Sequence, residues 1–162
     1  MKYFVSILSS IFFIIYNSLI YSQWIPIQNN AAPDQNPIVK ILSTDDNSTI
    51  IKVDIPGYRL TQFNAGGKSY CSISIGEEAI TSEVGLPEIP HIAKFLAIPD
   101  IGTVSVEVLE TESVNILKGK TVAPVRESWQ EGEAESKFIE DSKFYSSGNI
   151  YPNVLASIED PV

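Results

Sequence analysis

The sequence predicts an all-β fold, an antiparallel β-sandwich of the jelly-roll type that follows a cleaved signal peptide. Two observations predict it. Short segments in which apolar and polar residues alternate recur about every ten residues, with turn-forming residues between them. Outside the N-terminal segment, no window of ten or more residues has the apolar period of a helix.

Residues 1–22 have the composition of a secretory signal peptide. Lys2 supplies the basic start, no other charge follows it in this segment, and Ser22 is a small residue at the expected cleavage point before Gln23. A membrane anchor is the alternative, because about 20 apolar residues can span a bilayer. Ile11–Tyr16 is the longest unbroken apolar run, which favours cleavage. We therefore expect an exported protein (periplasm, cell surface or extracellular) with no membrane contact after cleavage.

The rest of the chain divides into a lead-in and one domain. Residues 23–47 are rich in proline and amide side chains and are expected to form a disordered lead-in. Residues 48–162 form the predicted β-sandwich, which we expect to be incomplete at its C-terminus. Its first strand is predicted at Ser48–Pro56, where apolar and polar residues alternate until the Pro-Gly pair.

A hairpin is predicted next. The strands Tyr58–Asn64 and Ser69–Ile75 flank the turn Ala65–Lys68. That turn contains Gly-Gly-Lys but lacks the earlier glycine of a phosphate-binding loop, so it predicts a turn and no nucleotide site.

Later strands are predicted at His91–Pro99, which is bounded by prolines, and at Thr103–Glu110, where valines alternate with polar residues. Ser113–Leu117 and Lys120–Val125 are predicted to form a further pair. Arg126–Lys143 contains six acids and no strand-like alternation. It predicts a long exposed loop, with a short helix near residues 134–140 as the alternative.

Charge and composition exclude several functions. Without residues 1–22 the chain carries 20 acids against 10 bases, a surface that repels nucleic acids and anionic lipid. Cys71 is the only cysteine and His91 the only histidine, so no disulfide framework and no metal site are expected. A Cys71–His91 nucleophile pair has no supporting motif. The glutamates of the acidic stretch indicate a solvated surface. We expect no catalytic residue and no cofactor.

Several short segments, in a fixed order, carry a family resemblance. "GLPEIP" enters an apolar segment that ends in "AIPD", and "VSVEV", "TVAPV" and "FYSSGNIYPN" follow. This order resembles the N-terminal prodomain, or propeptide, of gingipain-type secreted cysteine peptidases. The resemblance covers about residues 85–151 and is weaker from residue 50 onward.

The resemblance implies a β-sandwich that helps a secreted peptidase to fold and keeps it latent during export. The implied partner is the cognate cysteine peptidase catalytic domain, which this chain does not contain. In that family a basic side chain of a propeptide loop can enter the specificity pocket of an enzyme that cuts after Arg or Lys. Arg126 and Lys137 are the candidates in this chain. For Arg126 the alternative is a solvated base near Glu127 and Glu131.

A second function is left open by the sequence: a stand-alone secreted β-sandwich that binds carbohydrate or a surface protein. Trp24, Trp129 and the seven tyrosines could supply stacking surfaces. Exposed clustering of Trp129 with Tyr145 and Tyr151 would favour this binding function, whereas burial of these rings would indicate packing.

Overall fold

The computed structural model describes residues 20–97, 103–112, 117 and 119–159. The strands it contains pair into one three-stranded and two two-stranded sheets, in the orders β1-β4-β5, β2-β3 and β6-β7, and all of these pairings are antiparallel. The strands are β1 (Tyr21–Pro26), β2 (Ile38–Thr44), β3 (Thr49–Asp54), β4 (Gly57–Ala65), β5 (Lys68–Ser74), β6 (Ala79–Ile80) and β7 (Pro90–His91); the helix is α1 (Ser142–Ser147). The predicted all-β class is confirmed.

The core lies on the β1-β4-β5 sheet. Tyr58 and Leu60 of β4 and Cys71 of β5 are buried together there. An extended segment, residues 120–125, lies along the other side of β5: the Cys71 amide donates to the Thr121 carbonyl and the Ala123 amide donates to the Cys71 carbonyl, both at 2.8 Å. Burial of these few apolar side chains supplies the main stabilisation of the domain.

The predicted hairpin is confirmed as β4 and β5, with Ala65 paired to Lys68. Gly66 and Gly67 form the two-residue turn, and both have positive φ, +57° and +79°. A turn with two positive φ angles matches the twist of the strands that it joins, and glycine adopts these angles without steric cost.

The first predicted strand is also confirmed, as β3. By contrast, β1 and β2 lie within or overlap residues 23–47, for which the composition favoured disorder. Both have partners there: β1 pairs with β4, and Val39 and Ile41 of β2 lie opposite Val53 and Ile51 of β3. Cross-strand pairing of this kind outweighs a local composition rich in proline and amides.

Two later strand predictions are wrong for the described residues. After Pro90–His91, residues 92–97 form no strand, and Phe95 is 97% exposed. Thr103–Glu110 forms none either, and its valines Val104, Val106 and Val108 are 44–48% exposed. Alternation makes a segment suitable for a sheet, but a ladder also needs a partner, and the alternating pattern does not identify one.

Part of the predicted pair at 113–125 falls outside the described residues, which omit 113–116 and 118. Residues 120–125 are extended, as predicted, but they pair with β5 and with the segment 84–88. The predicted loop at 126–143 is confirmed up to residue 141. The helix begins only at Ser142, because the Asp141 side chain accepts a hydrogen bond from the Phe144 amide and caps it.

Residues 1–19, most of the predicted signal peptide, lie outside the described residues. Among the residues that the structure describes, no helix is long and apolar enough to cross a bilayer.

Candidate functional site

The candidate site is the acidic loop, defined as residues 126–140, whose two ends meet at Gly85. The Gly85 amide donates to the Val125 carbonyl at 2.9 Å, and the Asp141 amide donates to the Gly85 carbonyl at 3.0 Å. Gly85 is buried and has φ +86°, a conformation that L-residues with a side chain rarely adopt. One glycine therefore fixes where the loop leaves the fold and where it returns.

The entry of the acidic loop is held by two of the sequence segments that carried the family resemblance. "GLPEIP" and "TVAPV" lie side by side, because the Val125 amide donates to the Leu86 carbonyl and the Glu88 amide donates to the Ala123 carbonyl, both at 2.8 Å. These bonds satisfy backbone groups that would otherwise be buried without partners. Gly85 and the prolines of the first segment thus shape a support for the loop.

The exit of the acidic loop is anchored by an aromatic and an ionic contact. The Phe138 ring packs against the rings of Phe63 and Tyr70, with centroids 5.3 and 5.8 Å away. Glu140 accepts hydrogen bonds from Lys68 Nζ at 2.6 Å and from the Tyr70 hydroxyl at 2.8 Å. These donors, Lys68 first, hold the pKa of Glu140 below its ordinary value. Burial, and then the Glu140 carboxylate, raise the pKa of Tyr70 to about 12.

Arg126 is held within the loop in this structure. Its guanidinium carbon lies 4.6 Å from the ring centroids of both Trp129 and Phe138, which is cation–π distance. Nη1 donates to Glu135 at 2.5 Å, and 23% of the side chain is exposed. Arg126 is therefore neither a free base nor a partner of Glu127 or Glu131; its carboxylate partner is Glu135.

Lys137, the second candidate, has a different environment. It is exposed, and its ammonium makes no hydrogen bond or ion pair with any residue in the described part of the chain. It precedes Phe138, whose ring is fixed against β4 and β5, so its backbone position is set while its side chain extends into solvent.

The tip of the acidic loop closes on itself. Ser136 Oγ donates to the Glu127 carbonyl at 2.6 Å, and the Gln130 amide donates to Glu133 at 3.0 Å. Residues 127–135 are all exposed. The tip is thus accessible to a partner, while internal hydrogen bonds reduce the entropy that binding would have to remove.

The helix α1 packs behind the loop. The Tyr145 hydroxyl donates to the Val122 carbonyl at 2.8 Å, and burial raises the pKa of Tyr145. Phe144 makes edge contacts with Tyr145 and Tyr151. Trp129 instead contacts Arg126, so the three rings proposed as a stacking surface do not cluster, and Tyr145 and Tyr151 are only partly exposed. Tyr145 and Tyr151 are therefore packing residues, whereas Trp129 is 43% exposed.

The lone Cys71 is 1% exposed in the core, and burial raises the pKa of its thiol. His91 is exposed on β7, and the described residues show no hydrogen bond between the two side chains. Within the described ranges, no three His, Cys, Asp or Glu side chains group as metal ligands would.

The residues at the expected signal cleavage point lie in β1. Ser22 pairs with Thr61 and Gln23 with Leu60. Ser22 Oγ accepts hydrogen bonds from Thr61 Oγ1 at 3.1 Å and from Arg59 Nη1 at 3.4 Å.

Sequence reasoning located the loop and its basic residues but missed the anchors Phe138 and Glu140 and the role of Gly85 in joining both ends. One signal was available: Phe138 and Ile139 are the only consecutive large apolar residues of the acidic loop. Such a pair in a polar stretch indicates a point of attachment to the core.

The sequence of this chain matches a known family of propeptides. The model of the family Propeptide_C25 matches residues 29–162, so the chain belongs to this family, the propeptides of a group of cysteine peptidases. Among curated proteins it is similar to gingipain R1 of Porphyromonas gingivalis and to a second gingipain R1 from a strain of the same species, 25% identical over 130 residues in each case. The matched region is 78% of this chain but 13% and 8% of those two relatives. No solved structure matches the chain significantly.

Proposed function

We propose that this chain is the N-terminal propeptide of a secreted gingipain-like cysteine endopeptidase, and that it assists the folding of that enzyme and keeps it latent. Family membership supports a propeptide and hence association with a peptidase domain. The observation that carries the inhibitory role is the acidic loop: both of its ends are bonded to Gly85, while residues 127–135 are exposed. A loop of fixed base and accessible tip is suited to covering an active-site cleft.

Between the two basic candidates, the contacts favour Lys137 as the side chain offered to the enzyme. Arg126 would have to leave two aromatic rings and Glu135 before it could enter a pocket. Lys137 is exposed and would give up no ion pair seen in the described residues. Arg126 then has a positioning role, because it holds Trp129 and Phe138 in one arrangement.

The test is inhibition and refolding of the cognate peptidase domain by the purified propeptide. The unmodified propeptide should slow the enzyme and raise the yield of active enzyme on refolding. If the enzyme cuts after Arg or Lys, Lys137→Ala should weaken inhibition by at least tenfold, because a buried basic anchor is worth about 2 kcal/mol or more, on the order of a hot spot. Lys40→Ala, on β2 outside the loop, is the matched control and should leave inhibition unchanged.

Undiminished inhibition by Lys137→Ala would exclude Lys137 as the basic anchor, and loss of inhibition in Arg126→Ala would then leave Arg126 as the remaining candidate. A propeptide that neither inhibits the enzyme nor aids its refolding would overturn the proposed function. Export is part of the same proposal, with the leader removed between Ser22 and Gln23.

A further inference from the structure

We propose that Trp129, at the tip of the acidic loop, is an anchor residue that enters an apolar pocket of the peptidase domain, and that basic groups border this pocket. The inference rests on the proposed function, in which the acidic loop covers the active-site cleft. It adds an apolar contact to that function, separate from the basic side chain that would enter the specificity pocket.

Trp129 differs from every other residue of the loop tip. It is the only large apolar residue among residues 127–135, and it is 43% exposed. Each Å² of apolar surface gains about 25 cal/mol when it leaves water, and for the exposed part of this ring that gain requires a partner. Single exposed apolar residues are common on protein surfaces, so exposure alone does not identify a contact. The second observation is the way in which the ring is held.

A series of contacts fixes the position of the indole ring. The Arg126 guanidinium carbon lies 4.6 Å from the Trp129 ring centroid, which is cation–π distance. Arg126 is itself held by Glu135 and by the Phe138 ring, and Phe138 packs on β4 and β5. A side chain that is already oriented loses less conformational entropy on binding, and this saving raises affinity.

The closed tip joins the proposed apolar anchor to the proposed basic anchor. The Ser136 hydroxyl donates to the Glu127 carbonyl at 2.6 Å, which ties the part of the tip that carries Trp129 to the part next to Lys137. Tryptophan is among the residues most enriched in binding hot spots, because its large ring buries much apolar area. We therefore expect Trp129 and Lys137 to enter two different pockets of the same enzyme.

The acids next to Trp129 indicate the charge around its pocket. Glu127 and Glu131 lie two residues before and two residues after it, and both are exposed. Neither carboxylate forms an ion pair with any residue that the structure describes. Basic groups around the pocket would attract these carboxylates, and acidic groups would repel them. A second copy of this chain fits less well as the partner, because without residues 1–22 each copy carries 20 acids against 10 bases.

The experiment observes Trp129 directly in the complex. Fluorotryptophan is incorporated into the propeptide, which contains two tryptophans, and fluorine NMR spectra are recorded with and without an unlabelled, catalytically inactive cognate peptidase domain. A Trp129→Phe sample assigns the two resonances. We expect the Trp129 resonance to shift and to lose its solvent isotope effect on binding, because the ring leaves water. The Trp24 resonance, from β1, is the internal reference and should keep its isotope effect.

Inhibition of the active enzyme measures the contribution of the ring to affinity. Trp129→Ala should weaken inhibition about thirtyfold, the effect of a hot-spot residue, whereas Trp129→Phe should retain most of it. Phe95→Ala is the matched control, because Phe95 is 97% exposed and lies outside the acidic loop. It should leave inhibition unchanged. Glu127→Lys should slow association at low salt, and the difference should shrink as salt screens the charges.

The outcomes separate this inference from the proposed function. Full inhibition by Trp129→Ala would overturn the apolar anchor and leave the proposed function in place. Weakened inhibition by Trp129→Ala, together with an unchanged isotope effect at Trp129 in the complex, would assign the ring a structural role in the loop and overturn the anchor as well. Faster association of Glu127→Lys would contradict the basic border of the pocket. An unmodified propeptide that does not bind the peptidase domain would overturn both proposals.

Discussion

The Asp141 amide donates to the Gly85 carbonyl at 3.0 Å and brings the exit of the acidic loop to the same glycine that holds its entry. Gly85 also binds Val125, so the whole acidic loop is closed by two backbone hydrogen bonds on one buried glycine. The base of the loop is thereby held by hydrogen bonds that involve no residue of its tip. This relationship connects the fold to the proposed inhibitory function.

Gly85→Ala should destabilise the domain by about 1–2 kcal/mol, because a Cβ disfavours positive φ. The new Cβ would also lie 3.4 Å from the Asp141 amide nitrogen, at the loop junction. Chemical denaturation measures this change. Gly132→Ala is the matched control: it has φ +93° at the loop tip, and a Cβ added there would meet no atom within 4 Å. Gly132→Ala should lower the free energy of unfolding by less than Gly85→Ala, since the exposed tip can relax. Equal losses in the two variants would contradict a special role for Gly85.

Glu140 and Glu88 should change the stability of the domain with pH in opposite directions. The pKa of Glu140 is lowered by Lys68 and Tyr70, so its contribution to stability is present above its unfolded pKa and is lost as pH falls through the folded pKa. Glu140→Gln should therefore destabilise the domain at neutral pH, and the difference should shrink in acid. Thermal unfolding across the acid range, from about pH 7 down to about pH 3, covers the ordinary glutamate pKa.

Glu88 is the internal comparison for that experiment. Burial raises its pKa, partly opposed by the charge of Arg126, so its ionised form is disfavoured in the folded state. The folded protein therefore gains stability as pH falls through the raised pKa towards the unfolded value. Glu88→Gln should stabilise the domain at neutral pH, with the gain vanishing in acid. A loss of stability in Glu88→Gln at neutral pH would contradict this assignment.

The Cys71 thiol should be inert in the folded protein, because it is buried and its pKa is raised. A thiol reagent should react with it only as fast as the protein unfolds. Cys71→Ser should lower the free energy of unfolding by about 1–3 kcal/mol, because it buries a hydroxyl that lacks a hydrogen-bond partner. Cys71→Ala should lower it by less. Inhibition of the peptidase by folded Cys71→Ser should be unchanged; its loss would indicate a functional thiol.

The exposed valines and the buried core should respond differently to truncation. Val106 is 48% exposed in a segment with no strand, so Val106→Ala should change the free energy of unfolding by about 0.5 kcal/mol or less. Leu60 is 2% exposed, and Leu60→Ala should cost about 2–5 kcal/mol. A large loss in Val106→Ala would show that residues 103–110 are buried in a sheet, as their alternation predicts.

Much of the fold was predictable where the determinants are local. The Gly-Gly turn specifies the β4–β5 hairpin, and the alternation at Ile51 and Val53 specifies β3, because both depend on adjacent residues. β1 was not predictable, since Trp24 and Ile25 acquire strand geometry from the edge of β4, which is distant in the sequence. Long-range pairing leaves no signature in a short window of sequence.

The same distinction applies to the candidate site. An acidic, glycine-containing stretch predicts an exposed loop; residues 126–141 form a loop, as predicted, and residues 127–135 of it are exposed. The position of Arg126 between Trp129 and Phe138 depends on how the loop folds back. The attachment of Glu140 depends on Lys68 and Tyr70, which lie in a different part of the chain, on β5. Spacing in the sequence indicates none of these contacts.

The central claim, that the acidic loop contacts the peptidase, is tested most directly by amide hydrogen exchange of the propeptide with and without its cognate peptidase domain. We expect strong additional protection of residues 127–137 in the complex and none for the turn at Gly66 and Gly67. Loss of that protection in Lys137→Ala would link it to the basic anchor. Tight binding that leaves exchange at residues 127–137 unchanged would contradict the account, because the enzyme would then bind another surface of the propeptide.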